Sequence, residues 1–251
     1  MKALVLVLAL GGTATADIRW DRMEDRLQGG GFLRYEVSGL HAIDDDPARM
    51  PGAREVDDQL LAGVRMGAVL GAGAHVGYHV ALDLLAGSTL GDRGFAYDVA
   101  LLPVGIATRF GATGMVAVAT GIGANGAVGT IDDAAIVPVQ TTLELGRGIR
   151  ILGRARFSYV LGAADRQSGA PAIPFADEFD AMLGVRLGRS YRTFGFPSGN
   201  GYFLAISYRE QLGTRFVGAT IGYSLDAALP RRFLDDGKRH REDNRRRRRK
   251  R

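Results

Sequence analysis

The chain has 251 residues, of which 46% are hydrophobic and 24% charged, so a wholly disordered protein is excluded and one large β domain or two small ones can form. It contains no cysteine, which excludes a disulfide-stapled scaffold and a lipoprotein anchored through cysteine. The net charge of +5 comes from the C-terminal end, because residues 231–251 carry 12 Lys and Arg against 4 Asp and Glu, whereas residues 17–230 carry 19 against 23. Specific nucleic-acid binding by the folded part is therefore not expected.

The N-terminal segment has the form of a secretory signal peptide. Lys2 gives a positive start, residues 3–10 form an apolar run, and Ala14-Thr15-Ala16 supplies a small-x-small cleavage site. We expect residues 1–16 to be removed on export and residues 17–30 to lead into the folded domain. No later segment has about 18 uninterrupted apolar residues, so a membrane-spanning form of this protein would cross with strands.

Ten candidate strands follow, separated by turn-rich stretches such as Asp44-Asp45-Asp46-Pro47 and Ser198-Gly199-Asn200-Gly201. The chain has 36 glycines spread through its apolar segments, which disfavours helices. The predicted strands cover residues 31–40, 59–70, 73–86, 94–110, 114–124, 134–147, 149–163, 178–190, 201–211 and 214–226.

Within these segments apolar and polar residues alternate with the two-residue period of a β-strand. The alternation is clear in residues 149–163, where one face carries Ile149, Ile151, Ala155, Phe157, Tyr159 and Leu161 and the other carries Arg150, Arg154, Arg156 and Ser158. The segments exceed the ~5–6 residues of a globular strand and reach the ~9–11 that cross a hydrocarbon layer. The pattern predicts an all-β protein, a closed antiparallel up-and-down barrel of about 8–10 strands within residues 31–228.

In this pattern the chain resembles the small outer-membrane β-barrel proteins of Gram-negative bacteria, over residues 31–226. The last strand continues the pattern, because Ile221, Tyr223 and Leu225 alternate as expected, although the chain then runs on. The resemblance implies an outer-membrane location, with outer-membrane lipid as the partner of the apolar face. It also implies short turns on the periplasmic side and longer loops outside.

The polar faces of the predicted strands carry charged residues that we expect to face the lumen. These candidates are Arg65, Asp83, Glu144, Arg150, Arg154, Arg156, Arg186 and Arg209, with Asp180 beside them. Charges withdrawn from bulk water must be paired or must face trapped water, which favours a plugged interior held by ion pairs. The three arginines at 150, 154 and 156 leave open a pore that conducts anions.

One glycine-rich motif imitates a dinucleotide-binding loop. Gly121-Ile122-Gly123-Ala124-Asn125-Gly126 follows an apolar run, as such a loop does. A dinucleotide site needs a helix directly afterwards, but the following residues include Gly129, Asp132, Asp133 and Pro138. We therefore interpret the motif as a glycine-rich strand end and expect no cofactor.

His75 and His79 invite a metal-site interpretation. On a strand, residues four apart are separated by roughly 13 Å, which is too far for one ion. We expect these histidines to face the lumen or an interface.

No Ser/His/Asp set with a nucleophile context is present, so we expect a protein without enzymatic activity that has a structural or interaction role in the outer membrane. Two alternatives stay open, a small arginine-lined pore for anionic solutes and a soluble periplasmic barrel that binds an apolar ligand inside. The basic tail, residues 229–251, is predicted to be disordered and periplasmic, either solvated or in contact with polyanions.

Overall fold

A computed structural model describes residues 27–43, 57–71, 76–91, 94–110, 114–127, 131–146, 149–163, 176–190, 199–211 and 214–230. The predicted signal peptide, the basic tail beyond residue 230 and His75 lie outside these described residues. Ten strands form: β1 (Leu27–Ala42), β2 (Gln59–Gly71), β3 (Val76–Thr89), β4 (Phe95–Phe110), β5 (Gly114–Ala127), β6 (Ile131–Gly146), β7 (Ile149–Ala163), β8 (Glu178–Ser190), β9 (Gly199–Gln211) and β10 (Thr214–Pro230).

Each strand pairs with its neighbours in sequence, all antiparallel, and β1 pairs with β10 to close the barrel. The closing register places Tyr35 opposite Tyr223 and Val37 opposite Ile221. The predicted all-β closed up-and-down barrel is confirmed, with ten strands. No helix in the described ranges is long and apolar enough to cross a membrane.

The barrel has two distinguishable ends. We call the end where β1 begins and β10 ends the near end, and the opposite one the far end. At the near end, successive strands are joined by residues 72–75, 111–113, 147–148 and 191–198. The two longest connections, residues 43–58 and 164–177, both belong to the far end.

Burial alternates along the strands because successive side chains point to opposite faces of a closed sheet. In β3 every second residue from Gly77 to Leu85 is buried, and the residues between them are half-buried or exposed. The buried face points into the barrel. Strand boundaries shift by a few residues from the prediction, since ladder pairing extends strands past the last alternating side chain; β3, for example, ends at Thr89 rather than 86.

Irregular pairing runs across β3, β4, β5 and β6 at two prolines. The register shifts beside Pro103 in β4, and Pro138 in β6 lacks the N–H that a ladder bond needs. Hydroxyl groups of neighbouring strands donate hydrogen bonds here. Tyr78 donates to the Pro103 carbonyl, and Thr120 Oγ1 donates to the Pro138 carbonyl at 2.9 Å. Each bond gives a carbonyl beside the irregular pairing a hydroxyl donor.

Gly121 stands beside this irregularity for a steric reason. A Cβ at this position would lie 1.9 Å from the Leu101 carbonyl oxygen and 2.7 Å from Pro103 Cδ. The glycine-rich motif therefore lies inside β5 and serves close backbone approach. No helix follows it in the described chain, so the phosphate-binding geometry of a dinucleotide loop is absent there.

Candidate functional site: the charged interior of the barrel

Eight charged side chains form one continuous network inside the barrel. Four arginines face four carboxylates, and each member contacts at least one partner of opposite charge. We call this the central network; in order of contact it comprises Asp83, Arg65, Glu36, Arg154, Asp180, Arg209, Asp98 and Arg156. Its formal charge is zero, which is what burial away from water requires.

Asp98 accepts three hydrogen bonds from two arginines, as Asp180 also does. Arg156 donates to both of its oxygens, at 2.8 and 2.6 Å, and Arg209 donates to Asp98 Oδ2 at 2.8 Å. Asp98 lies on β4 and Arg209 on β9, which are opposite walls of the ten-stranded ring. The bonds therefore cross the lumen and brace one wall against the other.

A second group of charges, the near-end cluster, lies closer to the chain termini. Asp226 accepts from Arg186 and from Arg150, the latter at 3.3 Å, and Arg34 pairs with Glu144. Arg34 is on β1 and Glu144 on β6, again opposite walls. The interior is thus bridged at two levels along the barrel.

The eight residues predicted to face the lumen are all buried, and all eight take part in these two groups. Sequence reasoning missed four of their partners, Arg34, Glu36, Asp98 and Asp226. The alternation that would reveal two of them was present in β1, where Arg34 and Glu36 flank the exposed Tyr35.

The lumen is filled by these side chains at the level of the central network. Its four arginines have side chains that are 4–7% exposed, and Asp98 is fully buried. Water lining a conducting pore would leave such side chains accessible. The described interior therefore has the geometry of a plug held by ion pairs.

An apolar plug closes half of the interior at the far end. Phe216 is fully buried there against Leu40, Leu61 and Leu85, with Ala96 and Ala127 beside them. These residues come from β1 to β5 and β10. The other half of the far end, between β5 and β9, is polar and contains Glu178.

The outer surface of the barrel is apolar. Among the side chains whose exposure the structure describes, every strand from β1 to β10 except β6 carries at least one large hydrophobic residue that is more than 36% exposed. Examples are Ile106 at 62%, Leu183 at 56% and Ile206 at 69%. The oily rows point outward, so the interior is not the apolar ligand cavity of a soluble barrel.

The apolar outer surface has the height of a bilayer core. Along β7 the exposed row runs from Ile149 to Leu161, which is about 40 Å of strand at ~3.4 Å per residue. A tilt of about 40° reduces this to roughly 30 Å, close to the ~25 Å apolar band of transmembrane barrels.

Aromatic side chains gather toward the ends of the outer surface. On the far-end side, Phe179 contacts Phe157 and Tyr208, with ring centroids 5.0 and 6.2 Å apart, and Phe95 stacks on Tyr97. Nearer the other end, Tyr202 meets Tyr223 edge-to-face at 4.9 Å. Such rings suit the boundary between hydrocarbon and headgroups.

His79 is a buried lumen histidine. It is 2% exposed, and its Nδ1 lies 3.2 Å from the Ala68 carbonyl oxygen. Within the described ranges no three His, Cys, Asp or Glu side chains come together as a metal site. The hydrogen bond to backbone accounts for the placement of His79.

Comparison with known proteins gives one fold likeness to report. No family model matches the chain, and no curated protein matches it in sequence. Among solved structures, the chain is similar to outer membrane phospholipase A from Escherichia coli at 12% identity and a TM-score of 0.36, covering 77% of this chain and 92% of that one. At these values the likeness identifies no function.

One expectation from the sequence is corrected by this comparison. We expected a protein without enzymatic activity, but a solved structure to which the chain is similar is itself named a phospholipase. Because a fold does not fix function, the barrel is no ground for excluding an enzyme.

Proposed function

We propose that the chain spans the outer membrane, where the barrel anchors it in lipid and presents its two long connections, residues 43–58 and 164–177, for interaction. The observation that carries this proposal is an apolar exposed surface outside a charged, filled interior on the same strands. In water the opposite arrangement is stable, with apolar rows inside. Lipid is the solvent that suits this barrel, because a closed ring leaves no backbone edge unpaired.

The orientation follows from the connections. Outer-membrane barrels have short turns on the periplasmic side and longer loops outside, and the two longest connections share the far end. We therefore place the far end at the cell surface. The near end, the termini and the basic residues beyond 230 would then be periplasmic, within reach of anionic headgroups or other polyanions.

The second candidate function is a pore for anionic solutes. The observation in its favour is the set of seven arginines on the interior wall, Arg34, Arg65, Arg150, Arg154, Arg156, Arg186 and Arg209. Their side chains are 3–7% exposed, and each meets a carboxylate. This pairing supports the filled barrel over the pore.

Fractionation followed by electrical recording tests the proposal. We expect the protein in the outer-membrane fraction, with gel migration that changes on heating, and we expect no conductance steps when the purified barrel enters planar bilayers. Recovery as a freely soluble periplasmic protein would contradict the membrane location. Steady anion-selective conductance would be consistent with the membrane location, but it would contradict the filled barrel and support the pore.

A further inference from the structure

Asp133 is a carboxylate on the outer surface of the barrel, close to the far end of β6. It is exposed, and its Oδ1 accepts a hydrogen bond from the Tyr97 hydroxyl at 2.8 Å. It forms no ion pair with any residue that the structure describes. An ionised carboxylate at the edge of an apolar surface is costly unless a positive charge or several donors compensate it. One neutral hydroxyl supplies only part of that compensation.

The backbone beside Asp133 makes room for this carboxylate. A Cβ at Gly126 would lie 2.4 Å from Asp133 Oδ1 and 3.3 Å from Tyr97 Cε1. Gly126 pairs with Tyr97 across β5 and β4, so a glycine at this position lets the carboxylate lie against the tyrosine. The carboxylate is therefore held in one place on the surface before any ligand arrives.

Two aromatic rings lie beside the carboxylate. Phe95 is 54% exposed and stacks on Tyr97, with ring centroids 5.9 Å apart and an angle of 20° between the planes. The face of an aromatic ring attracts an ammonium group that lies within about 6 Å of its centroid. A metal ion would need more oxygen ligands than one carboxylate and one phenol hydroxyl provide. The arrangement therefore favours an organic ammonium group as the cation.

The outer surface is recessed next to Asp133, on the side toward the middle of the barrel wall. One row of paired outward positions runs there across β4 to β7, and its members are Val99, Ala124, Ala135 and Gly162. The small residues leave the surface low, and a Cβ at Gly162 would meet nothing within 4 Å. Larger exposed side chains project on both sides, Leu101 from β4 and Leu161 from β7. Since β4 and β7 are three strand spacings apart, about 14 Å, the recess can hold acyl chains.

From these contacts we infer that Asp133, Tyr97 and Phe95 bind the headgroup of a membrane lipid that carries a primary ammonium group, with its acyl chains in the recess. A primary ammonium donates hydrogen bonds to the carboxylate, supplies a positive charge and lies against the ring faces. The acyl chains then lie over Ala124 and Ala135, toward the apolar rows of the wall. This inference rests on the proposed membrane location and adds the class of lipid that this sector of the barrel selects.

Native mass spectrometry of the full-length barrel in detergent micelles measures the dissociation constant of the first bound lipid. The lipids compared are phosphatidylethanolamine, phosphatidylcholine and phosphatidylglycerol with the same acyl chains. We expect phosphatidylethanolamine to bind about 5-fold more tightly than phosphatidylglycerol, which is anionic and has no ammonium group, as expected for one exposed ion pair. Phosphatidylcholine should lie between them, because its quaternary ammonium has the charge but no N–H donor.

Three variants, each checked for folding by its gel migration, assign the binding to this site. Asp133→Asn should abolish the preference for phosphatidylethanolamine, because it removes the charge and keeps the shape of the side chain. Ala135→Phe should weaken phosphatidylethanolamine binding by filling the recess while Asp133 stays intact. Asp58→Asn is the matched control and should keep the preference, because Asp58 is an exposed carboxylate of the far end that hydrogen-bonds to His41 at 2.8 Å, in another sector of the barrel.

Three results would overturn the inference. They are equal affinity of the wild type for phosphatidylethanolamine and phosphatidylglycerol, an unchanged preference in Asp133→Asn, and undiminished binding by Ala135→Phe. Each of them leaves the membrane location in place, because fractionation and the cost of an arginine at position 206 test that location separately.

Discussion

Replacement of Asp98 by alanine is expected to lower the free energy of unfolding by about 3–5 kcal/mol. Asp98 is fully buried and accepts bonds from two arginines on different strands, Arg156 on β7 and Arg209 on β9. Its removal leaves Arg156 without a carboxylate partner among the described residues and takes one of two carboxylate partners from Arg209. Urea titration in detergent, with folded and unfolded forms separated by gel migration, measures the change.

Asp133→Ala is the control for this loss. Asp133 is an exposed carboxylate with one hydrogen bond, from Tyr97, so its removal should change stability by less than about 1 kcal/mol. Adding Arg156→Met and Arg209→Met to Asp98→Ala should recover a large part of the loss, since apolar groups need no counter-charge. A small effect of Asp98→Ala alone would mean that water, not protein, solvates these arginines, as a pore requires.

Placement of an arginine at Ile206 is expected to cost about 2–4 kcal/mol when the barrel is folded in lipid. Ile206 is 69% exposed and lies near the middle of the outer apolar rows, on β9. In water an exposed isoleucine on a sheet tolerates such a change within about 0.5 kcal/mol. The free energy of folding into vesicles, measured by urea titration, distinguishes the two environments.

The depth dependence of that cost supplies an internal control. Leu161 is equally exposed, at 69%, but lies close to the far end of β7. Leu161→Arg should cost only about 0–1 kcal/mol, because an arginine at the edge reaches the headgroups. Equal free-energy costs of arginine at positions 161 and 206 would mean that the cost does not come from contact with lipid.

The strands were predictable from the sequence because their signal is local. Two-residue alternation in segments such as residues 149–163 is visible in the sequence and does not depend on which strand the segment pairs with. All ten predicted strands form. The irregular pairing beside Pro103 was not predictable in the same way. It depends on how β4 pairs with β5, and Tyr78 from β3 donates a hydrogen bond to the Pro103 carbonyl.

The partners inside the barrel were predictable in kind but not in detail. The sequence places arginines on inward faces, yet it does not say which wall a side chain reaches across the lumen. Arg209 meets Asp98 from 111 positions away, and that pairing depends on the shear of the closed barrel.

Cysteine substitution along β7 tests most directly whether the apolar face meets lipid. The chain has no cysteine of its own, so each substitution adds a unique thiol. With the barrel in vesicles, we expect thiols at the outward positions of Ile151 and Phe157 to react with a lipid-soluble reagent and to resist a water-soluble, membrane-impermeant one. Fast reaction of these outward thiols with the impermeant reagent would mean that water surrounds the apolar rows, and the membrane account would be wrong.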